Sequence, residues 1–329
     1  MSETRFDDKL ARIRAGGYRR GDFIIADAKD ADMSSGIPSV GLLRLPDGGT
    51  PRYRTRPEYL ASIEELVRHD AVDIMLLSVS NLEAITRRGA LEGSKVKFAI
   101  RANDATDIWR LRGAVYKDLP SQAFRTSSIR RALRYTDLGL YSITFNNNLD
   151  ADYASLQAFA AFREQALELG FTYFLEVFNP NASTLSPEDL PSFVNDAIVR
   201  CLAGLTDEEK PRFLKIAYNG PKALEELASF DPEMVVGVLG GGAGTTRDCF
   251  ELVYQAEKYG ARVALFGRKI NLAEWPLEMV RHMRAVADGD LTPADAVASY
   301  HDMLRKAGIV PLRPLVEDCR VTEPVLERG

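Results

Sequence analysis

Histidine and cysteine are scarce in this chain, three of each among 329 residues. His69, His282 and His301 stand far apart on helix-like segments, so none has the spacing of a metal-ligand set. Cys201, Cys249 and Cys319 are odd in number and widely separated, which excludes a disulfide framework and a metal knuckle. A reducing cytoplasm is the expected setting. No apolar run reaches the roughly 18 residues a spanning helix needs, and the polar stretch from Met1 to Lys9 lacks the apolar core of a secretion signal. Basic excess is missing too. The net charge of −5 argues against a general nucleic-acid or anionic-membrane binder. Neither a low-complexity tract nor a sequence-level repeat divides the chain, so residues 1–329 are expected to form one domain.

What is present is an alternation. Hydrophobic residues make up 46% and charged residues 27%, enough for a sizeable core. Strand-like apolar runs lie at 23–27, 72–78, 96–100, 140–145, 171–178, 212–217, 235–239 and 261–266. Amphipathic segments separate them, at 57–69, 150–169, 187–202, 221–230, 245–259 and 275–287. The clearest is 150–169, where Tyr153, Leu156, Phe159, Phe162 and Ala166 recur at helical spacing and Gly170 follows as a C-cap. The pattern predicts an α/β fold, a (β/α)₈ TIM barrel over about 22–290, followed by an extra helix (292–307) within a C-terminal segment 291–329. A doubly wound open sheet is the alternative. Two long connections, 33–55 and 101–126, follow strands and so belong to the face where barrels keep their chemistry.

Three features point to that chemistry. Lys215 interrupts the apolar run of the sixth strand, where an unpaired ammonium costs several kcal/mol to desolvate. Burial pulls an amine towards its neutral form, which can attack a carbonyl. A glycine-rich turn, Leu239-Gly240-Gly241-Gly242-Ala243-Gly244-Thr245, opens a helix after the next strand, and the eighth strand ends Phe266-Gly267-Arg268. Glycine backbone at a helix N-terminus and an arginine are anion donors. The turn is not a dinucleotide fingerprint, since it lies late in the chain with no ribose-binding acid. Together these features indicate a sugar-phosphate site with an imine-forming lysine. Alternation along the fifth strand turns Glu176 inward and Leu175 and Val177 outward. Asp27, Lys29 and Asn146 also fall at strand ends. Asp30 and Asp32 invite a metal reading, but no histidine-rich site accompanies them.

The motifs Phe174-Leu175-Glu176-Val177, Leu214-Lys215 and Phe266-Gly267-Arg268 resemble the class I aldolases of the tagatose-bisphosphate aldolase type. The corner Asp27-Ala28-Lys29-Asp30 resembles that group's Asp-Gln-Arg motif. The glycine turn and Gly-Arg end resemble, more distantly, the archaeal-type fructose-bisphosphate aldolases and the deoxyribose-phosphate aldolase superfamily. The resemblance extends over about 22–307. It implies Lys215 as the Schiff-base lysine, Glu176 as the proton-transfer residue and Asp27 as a residue orienting the lysine or substrate hydroxyls. It also implies Gly241, Gly242, Gly267 and Arg268 as phosphate ligands, with Lys29 in substrate binding; the strand-end position of Asn146 makes it a further substrate-binding candidate. No cofactor and no metal are expected, the partner being a small phosphorylated substrate and other copies of the chain in a homo-oligomer. The chain departs from the family at four places: it lacks the strand-four lysine, has Phe178 where archaeal-type enzymes have tyrosine, has Lys29 for arginine, and has a lid segment, Arg101-Ala102-Asn103-Asp104, without a counterpart. A thiolase-like acyl transferase or isomerase on the same scaffold, and a non-catalytic sugar-phosphate-binding protein, are the competing readings.

Overall fold

The computed structural model describes residues 4–43, 51–242 and 244–328. Residues 1–3, residues 44–50 in the first long connection, Ala243 in the glycine turn and Gly329 lie outside the described residues. Eight parallel strands close into a barrel: β1 (Ile24–Lys29), β2 (Ile74–Leu77), β3 (Lys97–Arg101), β4 (Leu138–Thr144), β5 (Thr172–Phe178), β6 (Leu214–Ile216), β7 (Val236–Leu239) and β8 (Val263–Phe266). They neighbour one another in chain order, and β1 pairs with both β2 and β8. The outer ring comprises α2 (Arg56–Arg68), α3 (Val79–Arg87), α4 (Leu149–Leu169), α5 (Leu190–Leu202), α6 (Pro221–Phe230), α7 (Thr246–Lys258) and α8 (Pro276–Asp288), with α9 (Pro293–Lys306) packed on α7 and α8. The fold is the TIM barrel that the alternation predicts. One repeat is irregular: the long segment after β3 ends in a single helical turn, Ile129–Ala132, instead of a full helix.

Two apolar layers explain the closure. Side chains two apart along a strand share a face. Ile24, Ala26, Leu76, Leu140 and Leu265 belong to an inner cluster, whereas Ile25, Met75, Leu175, Val177 and Leu214 belong to the larger cluster that packs under the helices. The inner layer has a stopper that the strand and helix pattern did not include. An N-terminal helix, α1 (Arg5–Arg14), is started by a capping box between Thr4 and Asp7 and buries Phe6, Leu10 and Ile13 in the inner cluster. Phe6 meets Phe213 edge-on at 5.9 Å, and Phe213 stacks on Phe174 at 4.5 Å. Each such side chain removed from water is worth about 1.5–3 kcal/mol.

The segment after α9 returns to the barrel. Asp318 accepts the Thr246 N–H at the start of α7 (2.8 Å) and lies 2.9 Å from His301 Nε2. Asp248, in the first turn of α7, accepts from the Thr322 and Glu323 backbone N–H groups in turn. No described helix is long and apolar enough to cross a membrane.

Candidate active site

Parity along the strands decides which side chains reach the barrel mouth. On β5 and β6 the pairing sets Glu176 beside Lys215, and both point inward because Leu175, Val177, Leu214 and Ile216 are taken by the outer layer. Lys215 Nζ lies 2.5 Å from Glu176 Oε1, and the two residues are 5% and 2% exposed. The lysine is buried as expected, and it is paired. A Coulombic partner at this distance offsets the desolvation that would otherwise exclude an ammonium from the barrel.

The other oxygen of Glu176 is held as well. Ser142 Oγ, inward on β4, donates to Glu176 Oε2 at 2.7 Å. Arg101, the last residue of β3, donates to the same oxygen at 3.3 Å and to Ser142 Oγ at 2.9 Å. Its Nε donates to Asp30 Oδ2 at 2.5 Å. Burial works against the Arg101 charge, but the carboxylates of Asp30 and Glu176 outweigh it and hold the guanidinium above its ordinary range. Four ionic groups therefore meet at the barrel floor, two of each sign.

Above this floor lies a cavity of about 340 Å³, whose wall includes Asp30, Arg101, Glu176, Lys215, Gly241 and Arg268. Gly240, Gly241 and Gly267 bring bare backbone to the wall. Gly241 has φ +61, and a Cβ on Gly267 would stand 2.9 Å from the Ala28 carbonyl, so both positions require glycine. Arg268 makes no ion pair among the described residues. The two long connections complete the wall with Pro38 and Ser39 from the first and Ile108 and Arg110 from the second. The Arg110 N–H donates to the Ser34 carbonyl at 2.7 Å, which ties the two together. Desolvation holds the Arg110 guanidinium below its usual range.

Several expected site residues stand elsewhere. Asp27 and Lys29 share register with Phe266, Met75 and Leu77, all outer-layer residues, so they face the helices and not the mouth. They form a buried ion pair at 3.1 Å, and Lys29 Nζ donates to Asn271 Oδ1 at 3.4 Å. Desolvation pushes the Asp27 carboxyl up to about 6 and lowers Lys29. The inward acid of this corner is Asp30. Asn146 is buried but absent from the cavity wall, and its N–H donates to Asp152 Oδ1 at the start of α4. Gly242 is likewise not on the wall. The N-terminus of α7 was expected to add its dipole to an anion site. It is already satisfied by the chain itself, through Asp318 and the Thr245–Asp248 capping box.

Sequence reading missed Arg101, Ser142 and Asp30. Arg101 read as the first residue of a lid, whereas strand parity counted from Ala99 would have turned it inward. A polar serine in the middle of the apolar run 140–145 was the corresponding signal on β4.

No family model matches the sequence, and no curated protein matches it either. Solved structures do. An archaeal fructose 1,6-bisphosphate aldolase superposes with a TM-score of 0.62 at 19% identity, covering 86% of this chain and 99% of that one. A Schiff-base-forming fructose-1,6-bisphosphate aldolase gives 0.63 at 18%, with 86% and 99% covered. A fructose-bisphosphate aldolase from Slackia heliotrinireducens gives 0.63 at 12%, with 91% and 90% covered. At these identities the likeness is one of fold, and this chain shares with those enzymes a closed (β/α)₈ barrel.

Proposed function

We propose that the protein is a class I aldolase that makes or breaks a carbon–carbon bond in a phosphorylated keto compound through an imine on Lys215. The observation that carries the proposal is the contact between Lys215 Nζ and Glu176 Oε1, 2.5 Å, at the floor of a cavity that also presents Arg268 and Gly241. The Lys215 amine, having passed its proton to solvent, attacks a ketone carbon. Loss of water from the adduct gives an iminium ion. When the neighbouring carbon–carbon bond breaks, its electron pair flows into the iminium and leaves an enamine. The hydroxyl on the departing carbon gives up its proton to the carboxylate and becomes the aldehyde oxygen, a transfer worth about 10²–10⁴-fold in rate. Protonation of the enamine carbon and hydrolysis then free the ketone and restore Lys215. Arg268 and the backbone at Gly240 and Gly241 hold the phosphate. The fold shared with class I fructose-bisphosphate aldolases supports this reading.

Borohydride trapping tests it. Reduction in the presence of dihydroxyacetone phosphate should leave one stable adduct on Lys215, seen as a mass increase on its peptide, and Lys215→Met should abolish both adduct and turnover. Chelators should change neither. A wild-type protein that gains no mass from a broad panel of keto sugars and keto phosphates would refute the proposal. So would turnover lost to EDTA and restored by zinc.

A further inference from the structure

The cavity floor contains a residue that the aldolase reading does not use. We propose that Arg101 is a positioning residue that, with Ser142, makes the two oxygens of Glu176 inequivalent and confines proton exchange to Oε1. This inference rests on the aldolase reading.

The geometry is directional. Ala99 belongs to the inner cluster and Ile100 to the outer one, so Arg101 points inward as the last residue of β3. Its guanidinium reaches across β4 to β5, and three of its nitrogens each have a different partner: Nε on Asp30, one terminal nitrogen on Ser142 and the other on Glu176. Ser142 accepts from Arg101 and donates onward to Glu176 Oε2, so its hydroxyl hydrogen is committed to the carboxylate. The Ser142 backbone is fixed at both ends by one amide. Asn103 Nδ2 donates to the Ser142 carbonyl at 2.8 Å, and the Ser142 N–H donates to Asn103 Oδ1 at 2.6 Å. A carboxylate with two donors on one oxygen cannot turn over without breaking both bonds. The free face of Oε1 is aimed at Lys215, where a substrate carbonyl would be attacked. Asp30 completes the arrangement by holding the guanidinium from the β1 side.

Two further consequences follow. A carboxylate oxygen that already accepts from two donors is committed, so the proton is exchanged at the other oxygen. Arg101 therefore acts on proton transfer and leaves imine formation alone. A purely structural role, holding β3 to β5, would affect both steps together or only stability.

Dihydroxyacetone phosphate separates these steps without requiring the second substrate. Borohydride trapping reports the imine, and exchange of the carbon-bound proton with solvent deuterium reports the transfer. Arg101→Gln should keep the Lys215 adduct while deuterium exchange falls on the order of 10²-fold. Arg101→Lys should recover only part of the exchange rate, because it keeps the charge but lacks the fork. Ser142→Ala, a small change that the fold tolerates better, should keep the adduct with roughly a 10-fold loss of exchange. If both Arg101→Gln and Ser142→Ala leave the ratio of deuterium exchange to adduct formation at its wild-type value, this inference is wrong, whatever happens to melting temperature. If the wild-type protein forms no adduct with any keto compound, the aldolase reading falls and this inference falls with it. An adduct in the wild type with unchanged exchange in the variants overturns this inference alone.

Discussion

Asp27 and Lys29 give a quantitative test of the strand register. Both are essentially inaccessible, at 0% and 1% exposed, and their charged atoms lie 3.1 Å apart. With an effective dielectric constant of about 20, attraction at that distance is roughly 5 kcal/mol. Desolvation costs several kcal/mol for each ion, so the intact pair is near balance. Its halves are not. Asp27→Asn strands a buried ammonium and Lys29→Met strands a buried carboxylate, so each should cost about 3–5 kcal/mol. The double variant Asp27→Asn/Lys29→Met should return to within about 2 kcal/mol of wild type. With a urea slope of about 3 kcal/mol per molar, each single variant should lower the unfolding midpoint by about 1–1.7 M, and the double variant by about 0.7 M or less. The sign of the pH dependence is also fixed. Asp27 is raised from 3.8 to about 6, so the folded state binds this proton more tightly than the unfolded chain. That contribution to stability is fully present below 3.8 and is lost as pH rises through about 6, a change of about 3 kcal/mol. The double variant should lack this component. It should still form the Lys215 adduct. A single variant that keeps its midpoint but loses the adduct would show that Asp27 reaches the substrate, and the register argument would be wrong.

Two other outcomes are expected. Glu176→Gln should still be trapped on Lys215 by borohydride, with steady-state turnover reduced about 10²–10⁴-fold; unchanged turnover would remove Glu176 from the chemistry. Arg268→Gln should weaken inorganic phosphate, measured as a competitive inhibitor, by roughly 10–100-fold, the worth of a charge-assisted hydrogen bond, with kcat less affected than KM. Equal inhibition of both proteins would place the anion elsewhere.

The barrel was legible because its signal is redundant. Eight apolar runs with intervening helices tolerate errors of a few residues, and β6 is only Leu214–Ile216 where 212–217 was expected. The Lys215–Glu176 contact was legible for a local reason. On β5 and β6 each inward polar residue sits between two apolar ones, so parity can be read directly. On β1 it cannot. Ile24, Ile25 and Ala26 are apolar on both faces, and the polar residues that follow at 27, 29 and 30 occur at both parities, so only packing against Met75 and Phe266 decides their direction. Arg101 was hidden by its position at the boundary of a strand and a long connection. The occupied N-terminus of α7 was not readable at all, since Asp318 lies 72 residues from Thr246.

The stopper formed by α1 has a consequence for traffic. Phe6, Leu10 and Ile13 close one end of the cylinder with hydrocarbon, so the reaction vessel is blind-ended. On the proposed chemistry, reactants, products and water would all use the opposite end of the barrel, whose wall includes Pro38 and Ile108. Departure of one molecule and arrival of the next are therefore sequential events at a shared gate.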